Sequence, residues 1–224
     1  MKEFQKINTY ILQLDLITFK YITPLVERIT FDISNKHIDQ ELGKPLFYME
    51  QVNNPELVLL LKCYFFIANQ ARDSIMEILY KFTKNTGNQF PRAGGDQAFN
   101  KFALKIVQPN ERHDSKKIKE LKKKLEGGVG TLIKTRFLRN FLKKNDAMIF
   151  YATNKNEIIV KYKGWIQQSD GKTKQVIDLL NYQTRKPDRD LFFQIMIPRA
   201  VQNITNDLQN FYSILLEYHN KISE

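Results

Sequence analysis

One triplet constrains this chain more than any other. Asn54-Pro55-Glu56 stands directly before the apolar run 57–68. Asn can cap free helix amides, Pro fits the first helical position, and Glu suits the positive end of the helix dipole. A helix is therefore predicted from here to about Lys84. Its first half is apolar nearly all round, so it is expected to be the central core helix. Cys63 lies in that run and is expected as a buried, inert thiol. Neighbouring segments must then bury apolar faces against this helix.

Helical periodicity does recur on both sides. Phe4, Ile7, Ile11, Leu14, Thr18, Tyr21 and Leu25 repeat at three and four, which predicts a helix over 3–34 that Pro24 kinks or splits. Residues 35–53 read as a connector broken at Gly43-Lys44-Pro45. After the breakers of 85–95, a short helix is predicted over 96–107, with Asp96 as cap and Phe99, Phe102, Ala103 and Ile106 inward. Asp114 can cap a helix over 115–126. Gly127, Gly128 and Gly130 are expected to weaken or break it before a second helix over 130–144, striped by Ile133, Phe137 and Phe141.

The period then changes. Ile158, Val160 and Tyr162 alternate with Ile159, Lys161 and Lys163, and Asn154-Lys155-Asn156 supplies a turn, so 147–163 reads as a β-hairpin. Ser169-Asp170-Gly171 is a turn. A short helix is expected over 172–182 and a charged loop over 183–189. In the last helix, Ile197, Val201, Ile204, Leu208, Phe211, Leu215, Tyr218 and Ile222 form a regular seam. That seam suits either an intramolecular bundle or a homodimer. The fold class expected is mainly α: one helical-bundle domain over 1–224, with its core at 54–222 and one inserted β-hairpin.

Composition narrows the function classes. The formal net charge is +11. From Arg112 to Lys144, twelve basic residues stand against three acidic ones, so this stretch alone carries +9. Clustered positive charge points to a polyanion, nucleic acid before membrane. A solvated lysine face is the plain alternative. The basic candidates are Lys116, Lys117, Lys119, Lys122, Lys123, Lys124, Arg136, Arg139 and Lys143. Arg136, Arg139 and Lys143 share one helical face, and Arg suits bidentate phosphate contact. Asp73 and Glu77, one turn apart, form either a surface pair or a wall facing a basic site. The three histidines share no ligand spacing, so neither a metal site nor a cofactor is expected. No disulfide can form within the chain, no signal peptide is read, and the longest apolar run is too short to span a bilayer. The expected location is the cytoplasm, away from membranes.

Arg139-Asn140 near a helix end, followed by Asn145-Asp146 and a hairpin, resembles HEPN domains. Many members of that superfamily read Arg-Asn-x-x-x-His-Asn-Asp. The resemblance implies an RNA-binding helical bundle, often a homodimer, of toxin–antitoxin or antiviral defence systems, with an antitoxin or defence-system protein as partner. Active members are similar to metal-independent endoribonucleases. Arg139 would stabilise the charged transition state and Asn140 would position the phosphate. Here Lys144 stands where the family's His would transfer a proton, which implies either a degenerate catalytic site or a binding module. The competing expectation is a non-catalytic helical dimerisation or interaction protein with a solubilising basic surface.

Overall fold

The structure, a computed structural model, describes residues 2–37, 49–84, 89–94, 96–107, 115–144, 149–153, 157–165, 184–186 and 190–223. The helices are α1 (Lys2–Ile17), α2 (Thr23–Ser34), α3 (Pro55–Thr83), α4 (Asp96–Val107), α5 (Lys116–Lys144) and α6 (Arg199–Ser223). The strands are β1 (Met49–Val52), β2 (Ile149–Thr153), β3 (Glu157–Trp165), β4 (Thr184–Lys186) and β5 (Asp190–Ile197). The mainly helical fold matches the expectation.

The α3 start forms as its residues predict. The Asn54 side chain accepts from the Leu57 amide at 2.8 Å, a cap whose loss costs about 1 kcal/mol. The helix is central, packing on α1, α5 and α6. It is not inward all round, however. Leu59 is 61% exposed, Phe66 is 55% exposed, and Cys63 between them is exposed rather than buried. These three lie opposite the inward row of Leu57, Leu61, Phe65 and Ala68. The apolar run is wider than the face the bundle covers.

Just before Pro24 the expected helix is divided into α1 and α2. A single π turn, Thr18–Ile22, joins α1 to α2, with the Thr23 amide donating to the Thr18 carbonyl. Proline lacks an amide and its ring crowds the carbonyl four residues back, so a widened turn lets the chain continue. The wider turn also moves the inward position. Ile22 is buried and Tyr21, expected inward, is exposed. The rod of α1 and α2 runs antiparallel to α3, with Glu3–Lys81 at one end and Arg28–Glu56 at the other.

The glycines at 127–130 do not break the basic segment. Residues Lys116–Lys144 form one helix, started by Ser115, whose hydroxyl accepts from the Ile118 amide at 3.3 Å. The expected cap, Asp114, lies outside the described residues. A Cβ on Gly128 would lie 2.4 Å from Cε2 of Phe211 in α6, whereas one on Gly127 would meet nothing within 4 Å. Gly128 therefore permits close helix approach rather than chain reversal.

The predicted hairpin exists as β2 and β3, with Phe150 opposite Val160 and Ala152 opposite Ile158. It is the middle of a larger sheet. Among the described residues the order is β1-β2-β3-β5-β4, antiparallel throughout. Residues 49–52, expected as connector, add an edge strand to β2. Residues 184–186, expected as loop, and 190–197 form β4 and β5. Ile197, read as the first seam residue, ends β5, and α6 begins at Arg199. Phe150, Ala152, Ile158 and Val160 are buried, on the face that meets α2 and α5. The expected helix over 172–182 falls outside the described residues.

The α6 seam is spent inside the chain: Val201, Ile204, Leu208, Phe211 and Leu215 are all buried. Of the two readings of that seam, the bundle is the one observed.

A candidate nucleic-acid interface

The inward face of α5 is mostly apolar in its first half, where Lys122 is buried too, and its row reaches arginines thereafter. Ile118, Leu121, Leu125, Val129 and Leu132 are buried. Continuing at the same spacing of three and four, the row reaches Arg136, Arg139 and position 143. An apolar row that turns to arginine must meet something other than core. It meets α4 and α3. The Arg136 guanidinium lies 5.3 Å from the centroid of Phe99, a residue that α4 buries.

A second arginine reaches the same ring. Arg72 of α3 places its guanidinium 4.7 Å from the Phe99 centroid. Its residue is only 1% exposed. Its Nε and Nη2 donate to Oδ1 of Asp73 at 3.2 and 2.6 Å, and Asn69 donates to Oδ2 at 3.3 Å. Burial is the main force drawing the Arg72 pKa down to about 10, against Asp73, with Arg136 and Arg139 both adding repulsion. Thus α5 sets its two arginines close enough to a buried third for their charges to be felt. Among the described residues, Nη1 of Arg72 and Oδ1 of Asn69 are buried without a hydrogen-bond partner. Such an open group costs about 1–3 kcal/mol.

This also decides between the two readings of Asp73 and Glu77. They do not act as a pair. Asp73 belongs to the arginine cluster, while Glu77 faces Arg92, 3.3 Å away.

The lysine half of α5 is built differently. Lys116, Lys117, Lys123 and Lys124 are exposed, and Lys119 is half-buried. Lys124 donates to Glu217 of α6 at 2.9 Å. A recess between α5 and α6 is lined by both signs, Lys117 and Lys124 with Glu120 and Glu217. Lys122, expected on the binding surface, is 3% exposed. Its position faces inward between Ile118 and Leu125, so it is removed from the list of surface contacts.

Arg136 and Arg139, then, are brought together, and Lys116, Lys117 and Lys123 are kept apart from them on the outward face. Asn140, Lys143 and Lys144 occupy the last turns of α5. Asn145 and Asp146 lie outside the described residues, as does His113. His219 stacks on Phe4 and Phe82, at 5.3 and 5.9 Å between centroids, in a ring cluster of α1, α3 and α6. Among the described residues no group of His, Cys, Asp and Glu could hold a metal, and no helix is long and apolar enough to cross a membrane.

Arg72, Asn69 and Phe99 are the site residues that sequence reasoning missed. A signal existed for Arg72: it falls on the inward row of α3, between Ala68 and Ile75. A charge there must be buried, and buried charges are paired or functional. In comparisons with protein-family models, curated proteins and solved structures, nothing matched the chain.

Proposed function

We propose that this chain is an RNA-binding protein of the HEPN kind that grips phosphate with Arg136 and Arg139. One observation carries the reading: Arg72 of α3 and Arg136 of α5 meet the same Phe99 ring, Arg72 pairs with Asp73, and the charge of Arg139 bears on Arg72. Guanidinium groups held by an aromatic ring and a packed helix are already oriented, so little side-chain entropy is lost on meeting phosphate. The outward lysines add a long-range, salt-sensitive attraction for the rest of the strand.

Lys144 occupies the position where the superfamily pattern has His. An ammonium with an ordinary pKa near ~10.4 stays protonated at neutral pH and is a poor general base. Binding is therefore the function proposed, and cleavage is the outcome to be measured beside it. The test is incubation of purified protein with labelled RNA in EDTA, with retention and cleavage read together. Salt-sensitive retention that Arg139→Ala abolishes supports the reading. Metal-independent cleavage that Arg139→Ala also abolishes would add the nuclease. Retention and cleavage both unchanged in Arg139→Ala would remove the motif assignment and the HEPN reading with it.

A further inference from the structure

The rod of α1 and α2 carries an outward row of apolar side chains that the fold does not cover. Leu12, Leu16 and Phe19 follow one another at spacings of four and three, and Phe31 stands twelve residues further on. All four are exposed, from 47% at Leu16 to 65% at Phe31. In an unbroken α-helix, Phe31 would stand about 120° around the axis from Phe19. The π turn Thr18–Ile22 adds one residue to the count, which leaves the two about 20° apart. The same turn therefore keeps Phe31 in line with Leu12, Leu16 and Phe19. Between Pro24 and Phe31 the row passes between Glu27 and Arg28, both exposed.

Spacing and charge select the occupant. Four-and-three spacing makes the seam of paired helices, and the charges flanking a seam choose its partner and direction. Here the flanks are Asp15, one residue before Leu16, and Lys20, one residue after Phe19. Asp15 is half-buried and Lys20 is exposed. Among the described residues neither makes an ion pair within the chain. Five positions apart, they lie on opposite sides of the row and do not reach each other. Laid parallel against an identical rod, Asp15 of one protomer faces Lys20 of its partner, twice across a two-fold axis. Laid antiparallel, the same flanks bring Asp15 toward Asp15. The face is self-complementary in one direction only.

We infer that a second copy of this chain covers this face. The two rods run parallel and in register, with Leu12, Leu16, Phe19 and Phe31 in the seam and Asp15 of each protomer facing Lys20 of its partner. None of these residues belongs to the arginine cluster, so the inference does not depend on the RNA reading. A single helix pair is a small interface, and the dimer should dissociate on dilution.

Sedimentation velocity from about 1 to 100 μM should show monomer passing to dimer. Leu16→Gln with Phe19→Gln, both at exposed positions, should raise the dissociation constant about tenfold or more, with circular dichroism unchanged. Phe66→Gln, at an exposed apolar position of α3, is the control and should change nothing. Asp15→Lys and Lys20→Asp should each weaken the dimer about threefold, and the two together should restore it. Leu12→Cys in a Cys63→Ser background should be joined to its twin by a short bis-maleimide linker, because position 12 meets itself only when the rods run parallel.

A dimer lost with the seam pair and restored by the charge swap supports the inference. A monomer at every concentration would overturn it. So would equal weakening by Phe66→Gln, which would mark general adhesion of exposed apolar surface. A dimer that the linker cannot join at position 12 would overturn the parallel register. A monomer that sediments with phosphatidylcholine vesicles, and no longer does so after Leu16→Gln with Phe19→Gln, would give the face to lipid instead of a second copy.

Discussion

The two halves of α5 carry charge in opposite ways. In the first half the inward face is mostly apolar, with Lys122 buried among its apolar residues, and Lys116, Lys117, Lys123 and Lys124 are exposed. In the second half the inward row itself reaches Arg136, which meets the Phe99 ring that Arg72 also meets, and Arg139, whose charge bears on Arg72. A solvated lysine contributes a diffuse field that salt screens within about 8–10 Å at physiological strength. An arginine held against a ring and half-buried is screened less and presents a fixed fork of donors. Net charge alone cannot separate these two designs. The face on which the charge lies does separate them.

The largest effect should come from the arginine half. Arg136→Gln with Arg139→Gln removes two charge-assisted contacts, each worth about 1.5–3 kcal/mol. RNA affinity should fall by about a hundredfold or more, with circular dichroism and thermal unfolding close to wild type. A loss under threefold would break the comparison at its stronger side.

Next in size is the packing that sets the register of α5 on α6. Gly128→Ala drives a Cβ into Phe211 and should cost about 1–3 kcal/mol by urea denaturation. An unchanged midpoint would show that the two helices separate easily, and would loosen the placement of every residue on the inward row.

A smaller change is expected from the lysine half. Lys116→Gln, Lys117→Gln and Lys123→Gln together should weaken RNA binding by less than about tenfold at physiological salt. Each lysine that meets a phosphate should flatten the salt slope by about 0.7. Lys122 is left out because it is buried, and changing it would confound binding with folding. Smallest of all is Gly127→Ala, one position from Gly128 but in open space. It should stabilise by up to about 1 kcal/mol, the ordinary gain of Ala over Gly inside a helix. Destabilisation there would contradict the assigned outward face.

Much of this design was legible in the chain wherever the determining forces are local. The Asn54 cap, the alternation over β3 and the α6 seam all rest on neighbours within a few residues, and each appears where its pattern predicts. The misreadings share a cause. Gly127-Gly128 looks like a break because glycine punctuates a chain locally. Its role depends on Phe211, which only the tertiary fold brings near. β1 has four residues and acquires strand character from β2, about a hundred positions later. The run in β5, Leu191-Phe192-Phe193, has no helix-specific or strand-specific period of its own. Tyr21 and Ile22 exchanged places because a π turn adds a residue to the count. On α5, the shared face of Arg136 and Arg139 follows from their spacing. The place of Arg72 beside them was missed, although it falls on the inward row of α3 between Ala68 and Ile75.

The central claim is that RNA meets the arginine face of α5 and not its lysine face. Hydrogen exchange with and without RNA tests this directly, because the two faces fall in different peptides. Added RNA should slow exchange in peptides covering residues 69–76 and 132–144, with little change over 116–126. Protection confined to 116–126, with 69–76 and 132–144 unchanged, would contradict it.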